Sequence, residues 1–408
     1  DVMGIVGNGA SYKILQEAGI DDADLIIAVT GSDELNLLCC TIATQVGNCA
    51  AIARVRTPEY SQEAKYLRDK LGLALIINPE LEAAIEMAHI LHLPSSLEVT
   101  NFAHGQAQLI KYEIPEGSIL DGTKLMDLGT RHHANILIGA VERDDEVTIP
   151  SGDFVLRKGD KLSFVGERRH TKEFFSHIGV NTHSVKNTLI IGGGKAAYYL
   201  AKQLISRGIK VKIIENSFER CEELSILLPD AVIINGDGTE QALLKEEGIE
   251  TCQSFVPLTG IDEENIMLTL YAKQVSNAKV ITKLNRITFT NVINSLDLGS
   301  VISPKYITSE AIIAYVRAKK NSMNCNIETL YHMYDSRVEA IEFFVSENSN
   351  VTDIPLRDLK LKKHLLICFI NRNGKIIIPT GNDSIQKNDT VMIITTHTGF
   401  TNLQDIME

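Results

Sequence analysis

Thr188-Leu189-Ile190-Ile191-Gly192-Gly193-Gly194-Lys195-Ala196-Ala197 joins a short apolar run to a cluster of glycines, and the glycines lead into a stretch of helix formers, Ala196–Arg207, closed by Gly208. A continuously apolar run of this length is what a strand covered on both faces of a parallel sheet requires. The spacing is G-x-G-x-x-A. Gly192 permits the tight turn, Gly194 lets a pyrophosphate approach the backbone, and Ala197 supplies a small side chain where the helix packs on the strand. A phosphate there would meet the start of the helix, where unpaired N–H groups and the helix dipole favour anions.

Outward from this turn the pattern alternates. Val211–Ile214, Ala231–Ile234, Ser254–Leu258, Val280–Lys283 and Val301–Ser303 read as further buried strands. Between them Glu219–Leu228, Thr239–Glu247, Asp262–Val275 and Phe289–Leu296 read as helices. Strands and helices alternating at this spacing predict an α/β fold, a Rossmann-like doubly wound parallel sheet. Glu215, at the end of the second strand, is placed to accept hydrogen bonds from an adenosine ribose. A carboxylate there repels a 2′-phosphate, so the expected cofactor is NAD(H) rather than NADP(H).

The unit occurs twice. Gly7-Asn8-Gly9-Ala10 falls on Gly236-Asp237-Gly238-Thr239 at a displacement of 229 residues, and Thr30-Gly31-Ser32-Asp33-Glu34-Leu35-Asn36 falls on Thr259-Gly260-Ile261-Asp262-Glu263-Glu264-Asn265. The same displacement returns later, with Lys158-Gly159-Asp160 on Lys387-Asn388-Asp389, so one ancestral unit was duplicated. The second copy has about 40 residues, Asn187 to Pro229, whose partners would precede Asp1, and the natural amino terminus is therefore expected to lie upstream. Near Pro94-Ser95-Ser96 and Ser322–Asn326 the character changes to shorter strands and turns rich in Gly, Asn and Asp, such as Thr148–Pro150 and Lys161–Val165. The expected order is a Rossmann domain over 1–94, a small α+β domain over 95–182, a second Rossmann domain over 186–321 and a second small domain over 326–408.

Other candidates lie at strand ends, where open α/β sheets bind ligands. Thr30-Gly31 and Thr259-Gly260 end the fourth strands, while Arg54 and Lys283 end the fifth and either pair with a phosphate or stand as solvated rim charges. Asp237 either lies beside the adenosine or caps its own turn. Asp33 and Asp262 read as helix N-caps.

Composition narrows the functional classes. A net charge of −12 argues against a nucleic-acid partner, which needs a concentrated basic face. No apolar run approaches the roughly 18–20 residues of a membrane span, and a cytosolic location is expected. Seven cysteines without C-x-x-C spacing fit neither a disulfide framework nor a zinc site, and Cys39-Cys40 read as reduced core thiols. No histidine–carboxylate arrangement suggests catalysis: His132-His133, His89 and His92 read as surface residues and Lys360–His364 as a solvated face. The expectation is a binding protein rather than an enzyme, with an NAD-dependent oxidoreductase and a scaffold carrying vestigial nucleotide sites as the alternatives.

With Ala28–Asn36, Ala53–Tyr60, Ile190–Gly194 and Leu258–Asn265 carrying the likeness, the chain resembles the TrkA family of tandem RCK (also called KTN) proteins over essentially its whole length. The resemblance implies cytosolic regulatory subunits that bind NAD(H), or ATP and ADP in relatives. It also implies assembly into a ring, dimeric or tetrameric, that docks peripherally on the inner face of the membrane against a potassium transporter subunit. The implied nucleotide contacts are Gly192, Gly193, Gly194, Lys195, Ala196, Glu215, Thr259, Gly260 and Lys283 in the second copy, and Thr30, Gly31 and Arg54 in the first. Ala197 departs from the glycine common at its position.

Overall fold

The computed structural model describes residues 2–93, 95–131, 135–180, 183–286, 293, 296–320, 327–334, 336–347 and 349–408. Pro94, His132-His133, most of Phe289–Leu296 and Ser322–Asn326 lie outside them. The chain divides into two compact units that interleave in sequence, residues 1–88 with 186–309 and residues 89–185 with 310–408.

The first unit holds two parallel sheets. One has three strands in the order β1 (Leu25–Ala28), β2 (Ala50–Arg54) and β3 (Leu75–Ile77). Its core is built from small side chains, Ala28, Ala51, Ala53, Cys39 and Cys40, all buried, with burial pushing the Cys40 thiol up to about 12. These cysteines are core residues, as their apolar setting suggested.

The second unit contains two antiparallel sheets. The first joins β4 (Glu98–Phe102), β5 (Ala107–Glu113), β6 (Leu137–Arg143), β7 (Glu146–Thr148) and β8 (Lys161–Glu167) in the order β4-β5-β8-β6-β7. Strand β7 stops two residues short of Pro150, whose missing N–H cannot extend a ladder.

The other parallel sheet belongs to the second copy and comprises β9 (Asn187–Ile191), β10 (Lys210–Glu215), β11 (Val232–Asn235), β12 (Ser254–Pro257), β13 (Lys279–Lys283) and β14 (Ser300–Ile302), ordered β11-β10-β9-β12-β13-β14. All five pairings are parallel, and the strand order reverses at β9, the strand that leads into the glycines. This is the Rossmann-like arrangement expected, with strand ends displaced by a residue or so. The helix expected over Thr239–Glu247 runs only from Gln241 to Glu246, because the Thr239 amide and hydroxyl are held by Asp237 Oδ1 at 2.9 and 2.7 Å.

The remaining strands, β15 (Ile327–Met333), β16 (Val338–Phe344), β17 (Leu365–Arg372), β18 (Lys375–Ile377) and β19 (Thr390–Thr395), repeat the first antiparallel sheet as β15-β16-β19-β17-β18. The two antiparallel sheets share one apolar core containing Leu109, Val165, Ala340, Phe369 and Ile394. Gly139 makes that contact possible, since a Cβ there would collide with Ile394. The duplication extends to a buried ion pair: Arg143 clasps Asp160 at 2.7 Å, and Arg372 clasps Asp389 at 2.7–2.9 Å, 229 residues on. Helices Pro79–His92, Arg168–His177 and Pro304–Lys320 were not anticipated from the sequence.

Candidate functional site

The carboxyl ends of β9, β10, β12 and β13 bring most of the second copy's candidates onto one edge. Gly192 leaves β9 at φ +94°, and a Cβ on it would sit 3.2 Å from the Leu258 carbonyl group, so both conformation and space demand glycine there. The Gly193 amide donates to Glu215 Oε2 at 2.6 Å, and its carbonyl accepts from Arg220 Nε at 2.7 Å. Glu215 Oε1 accepts from the Ser217 amide at 2.8 Å. Glu215 thus holds the glycine turn against the end of β10, and each of its oxygens retains a lone pair for a further donor.

Gly194 differs from the two glycines before it. It is the N-cap of helix Lys195–Ile205, it offers no side-chain cap, and a Cβ on it would meet nothing within 4 Å. Protein packing therefore does not require a glycine there. The helix of 11 residues thus starts without a side-chain cap on its first-turn amides, the arrangement that suits an anion.

Thr259 and Lys283 close the same edge. Lys283 Nζ donates to the Leu258 carbonyl at 3.3 Å, and burial lowers its pKa against the opposing pull of Asp262 and Glu80. The Thr259 amide and hydroxyl both donate to Asn265 Oδ1, at 3.0 and 2.9 Å, and Asn265 Nδ2 donates to the Lys283 carbonyl at 3.0 Å. In the first copy, the Thr30 amide and hydroxyl donate to Asn36 Oδ1 at 2.7 Å, and Asn36 Nδ2 donates to the Arg54 carbonyl at 2.9 Å. Both asparagines are fully buried. The last residue of the repeated Thr-Gly motif is thus a staple between the fourth and fifth strands, a role that sequence reasoning missed although the repetition of the motif marked it.

Asp33 and Asp262 are not N-caps, contrary to expectation. Ser32 caps the first helix by accepting from the Leu35 amide at 3.1 Å, and Ile261 at the second has no side chain able to do so. The two aspartates stand one position further in and reach the loop after the fifth strand. Asp33 Oδ2 accepts from the Arg56 and Thr57 amides at 2.9 and 2.7 Å and from Thr57 Oγ1 at 2.6 Å. Asp262 accepts from the Asn285 and Arg286 amides, both at 2.8 Å. Burial opposes the Asp33 charge, but the hydrogen bonds from Thr57 and Arg56, helped by Lys195, outweigh it and hold the carboxyl below its ordinary value.

Arg54 Nη2 donates to the Thr30 carbonyl at 2.7 Å, and Arg56 Nη2 donates to the Gly31 carbonyl at 2.8 Å, so Thr30, Gly31 and Arg54 do converge. Asp237 serves as a turn cap for Thr239, and those bonds lower its pKa. Lys195 points away from its own copy: Nζ donates to Thr57 Oγ1 at 3.0 Å and lies 3.9 Å from Asp33 Oδ2. Tyr199, one turn further along, donates to the Arg56 carbonyl at 2.9 Å and accepts from Asn78 Nδ2 at 3.0 Å. The helix that opens at the glycine turn is therefore stitched to the other copy's carboxyl edge.

Comparison with known proteins follows the same duplication. The TrkA-N domain matches residues 1–79 and 188–304, and the TrkA-C domain matches residues 109–179 and 340–407. The chain is 33% identical over 401 residues to a Trk system potassium uptake protein TrkA homolog 1 of Methanosarcina mazei, covering 96% of this chain and 88% of that one. It is 31% identical over 393 residues to a TrkA homolog of Archaeoglobus fulgidus, covering 96% and 87%. Its fold is similar to that of a GsuK channel bound to NAD, with a TM-score of 0.60 at 18% identity over 96% of this chain and 68% of that one.

Proposed function

The chain belongs to the TrkA family, and on that footing we propose that it is the nucleotide-sensing regulatory subunit of a potassium uptake transporter. The observation that carries the reading is the glycine turn: Gly192 and Gly193 are required by packing, whereas Gly194 opens the helix start to an incoming anion. The ligand is NAD(H), or ATP or ADP, with its phosphates against the Gly194–Ala196 amides, its ribose on Glu215, and Thr259, Gly260 and Lys283 beneath. In the first copy Thr30, Gly31 and Arg54 form the matching edge. A GsuK channel of the same fold binds NAD, which supports this choice of ligand.

The protein acts by coupling rather than by chemistry. Among the described residues no helix is long and apolar enough to cross a membrane. It works from the cytosolic face, self-associated into a ring. A nucleotide that binds one arrangement of the two Rossmann-like domains more tightly shifts the population toward it, and coupling of about 1–3 kcal/mol biases the transporter several-fold to a hundredfold. The stitch of Lys195 and Tyr199 to Asp33, Thr57, Arg56 and Asn78 gives the glycine turn a direct mechanical route to the other copy. Calorimetry with NAD, NADH, ATP and ADP, paired with potassium flux through the reconstituted transporter, tests it. Binding by none of the four, or binding that leaves flux unchanged, removes the reading.

A further inference from the structure

The two antiparallel sheets pack against each other through contacts that come in mirrored pairs. Strand register fixes which residues are equivalent. Gln108 faces Gly166 as Glu339 faces Thr395, and Leu137 faces Val165 as Leu366 faces Ile394, so β4 and β5 map onto β15 and β16 at an offset of 231 residues and β6, β7 and β8 onto β17, β18 and β19 at 229. Observed contacts then carry the mirror across. Glu342 Oε1 accepts from the Ala103 amide at 2.8 Å, and its counterpart Lys111 stands 4.3 Å over the ring of Tyr334, the counterpart of Ala103. Ala103 and Tyr334 share the left-handed backbone, at φ +49° and +52°. Arg337 donates to the Asp145 carbonyl, while a Cβ on Gly374, the counterpart of Asp145, would stand 3.7 Å from Gln106, the counterpart of Arg337. An approximate two-fold axis therefore relates the two small domains.

Along that axis the residues match in place and differ in kind. The Tyr334 hydroxyl lies 2.6 Å from Ser163 Oγ and donates to the Lys161 carbonyl at 3.1 Å, a large side chain against a small one; the mirrored places hold the small Ala103 and the large Met392. A Cβ on Gly139 would collide with Ile394, so Ile394 occupies space that only glycine leaves, and the mirrored places hold Cys368 and the shorter Val165. Glu142, 7% exposed, accepts from Arg337 Nη2 at 2.6 Å and lies 3.2 Å from Lys161 Nζ; the mirrored places hold the neutral Asn371 and Gln106. Each residue suits the domain opposite and not its own. If two second domains met through this face, Tyr334 would meet Met392 and Cys368 would meet Ile394, each twice, and overpacking forces side chains off their rotamers. Two first domains would leave voids instead, with Ala103 against Ser163 and Gly139 against Val165, and the buried Glu142 would face Gln106 in place of Arg337.

We infer that this face recognises only the unlike small domain: the first domain pairs with the second, and pairing of either with its own like on a second copy of the chain is excluded. An isologous dimer needs one patch that is complementary to itself. Here the patch meets that condition in geometry and violates it in side-chain volume and charge, and a surface discriminates when the wrong partner meets clashes or lost ion pairs. Exchange with the unlike domain of another chain would satisfy the same contacts, but the covalent link gives pairing within one chain the higher effective concentration. Self-association of the full chain therefore uses surfaces outside this core. The inference stands apart from the nucleotide reading, since none of these residues belongs to the glycine turn.

The full chain tests this when the pairs are moved. Ser163→Met sets a large side chain against Tyr334 and should lower the thermal midpoint by about 5 °C. Adding Tyr334→Ala reproduces the arrangement of Met392 and Ala103 and should restore most of that loss, whereas a double variant as unstable as the two single losses added overturns the mirror. The choice of partner is read at Cys368. A Cβ on Gly139, its counterpart, would stand 3.6 Å from Cys368 Sγ, so a pairing of two second domains would bring two Cys368 side chains within disulfide reach. Under mild oxidation with copper phenanthroline, peptide mapping of the parent should show no bond between Cys368 of one chain and Cys368 of another. Asn371→Glu with Met392→Ser and Ile394→Val gives the second domain the complementary residues of the first, and the bond should then form. A parent that forms it as readily as this triple variant, or a folded triple variant that does not form it, overturns the inference; if the triple variant does not fold, the Ser163 and Tyr334 pair still decides.

Discussion

The two carboxyl edges of the Rossmann-like copies share a frame and differ in what the frame presents. Both tie the fourth strand to the fifth with a buried asparagine, Asn36 or Asn265, and both anchor the next loop with an aspartate, Asp33 or Asp262. In the second copy the edge also carries a glycine turn with an open helix start. In the first it carries two arginines on the Thr30 and Gly31 carbonyls and receives Lys195 from its neighbour. The repeated motif therefore carries architecture in both copies, a buried asparagine staple and an aspartate anchor.

The largest effect should come from breaking what is common. Asn36→Ala and Asn265→Ala each strand buried strand-end groups, and each should cost about 2–4 kcal/mol in denaturant unfolding. Similar losses in the two copies confirm a structural staple, whereas loss of nucleotide binding without loss of stability points to a ligand contact. Gly194→Asp comes next: stability should hold, since no atom crowds that position, while nucleotide affinity falls about a hundredfold, or about 2.7 kcal/mol.

A third difference separates the small domains. Contacts with Glu310 and Glu339 raise the His332 pKa from 6.5 to about 9 against the effect of its burial, while the first copy has Asn101 at that position. Because the folded value lies above the unfolded one, the stabilisation is complete below pH 6.5 and is lost as pH rises through about 9. Thermal midpoints across that window should fall by the equivalent of roughly 2 kcal/mol in the parent and stay flatter in His332→Asn.

Glu215→Ala frees the Gly193 and Ser217 amides, and should cost about 1 kcal/mol of stability with roughly tenfold weaker NAD binding. The smallest static effect is expected for Lys195→Met. Its ion pair with Asp33 is long and partly exposed, so stability should change by less than about 0.5 kcal/mol. If the copies communicate through it, transporter activation should drop while nucleotide affinity barely moves.

Buried parallel strands are continuous apolar runs, so β9, β10 and β12 were legible to within a residue or two, and the repeat exposed the Thr-Gly motif. The roles of Asn36, Asn265, Asp33 and Asp262 were not legible, because each acts on a backbone group 18 to 24 residues away that no local pattern identifies. Ser32 took the capping role one residue earlier than expected, as both Ser and Asp suit a helix start and only the geometry chooses.

Sequence alone determined the duplication, the alternation of strand and helix, and the glycine turn, since each is written in periodicity and in residues with unusual backbone freedom. Tertiary structure alone decided that Lys195 serves the other copy, that Gly194 opens onto free space while Gly193 does not, and that Gln108 and Glu339 occupy matching places with unlike charge surroundings. Those outcomes depend on which distant groups come within hydrogen-bond reach, and that is settled only when the sheets close and pack.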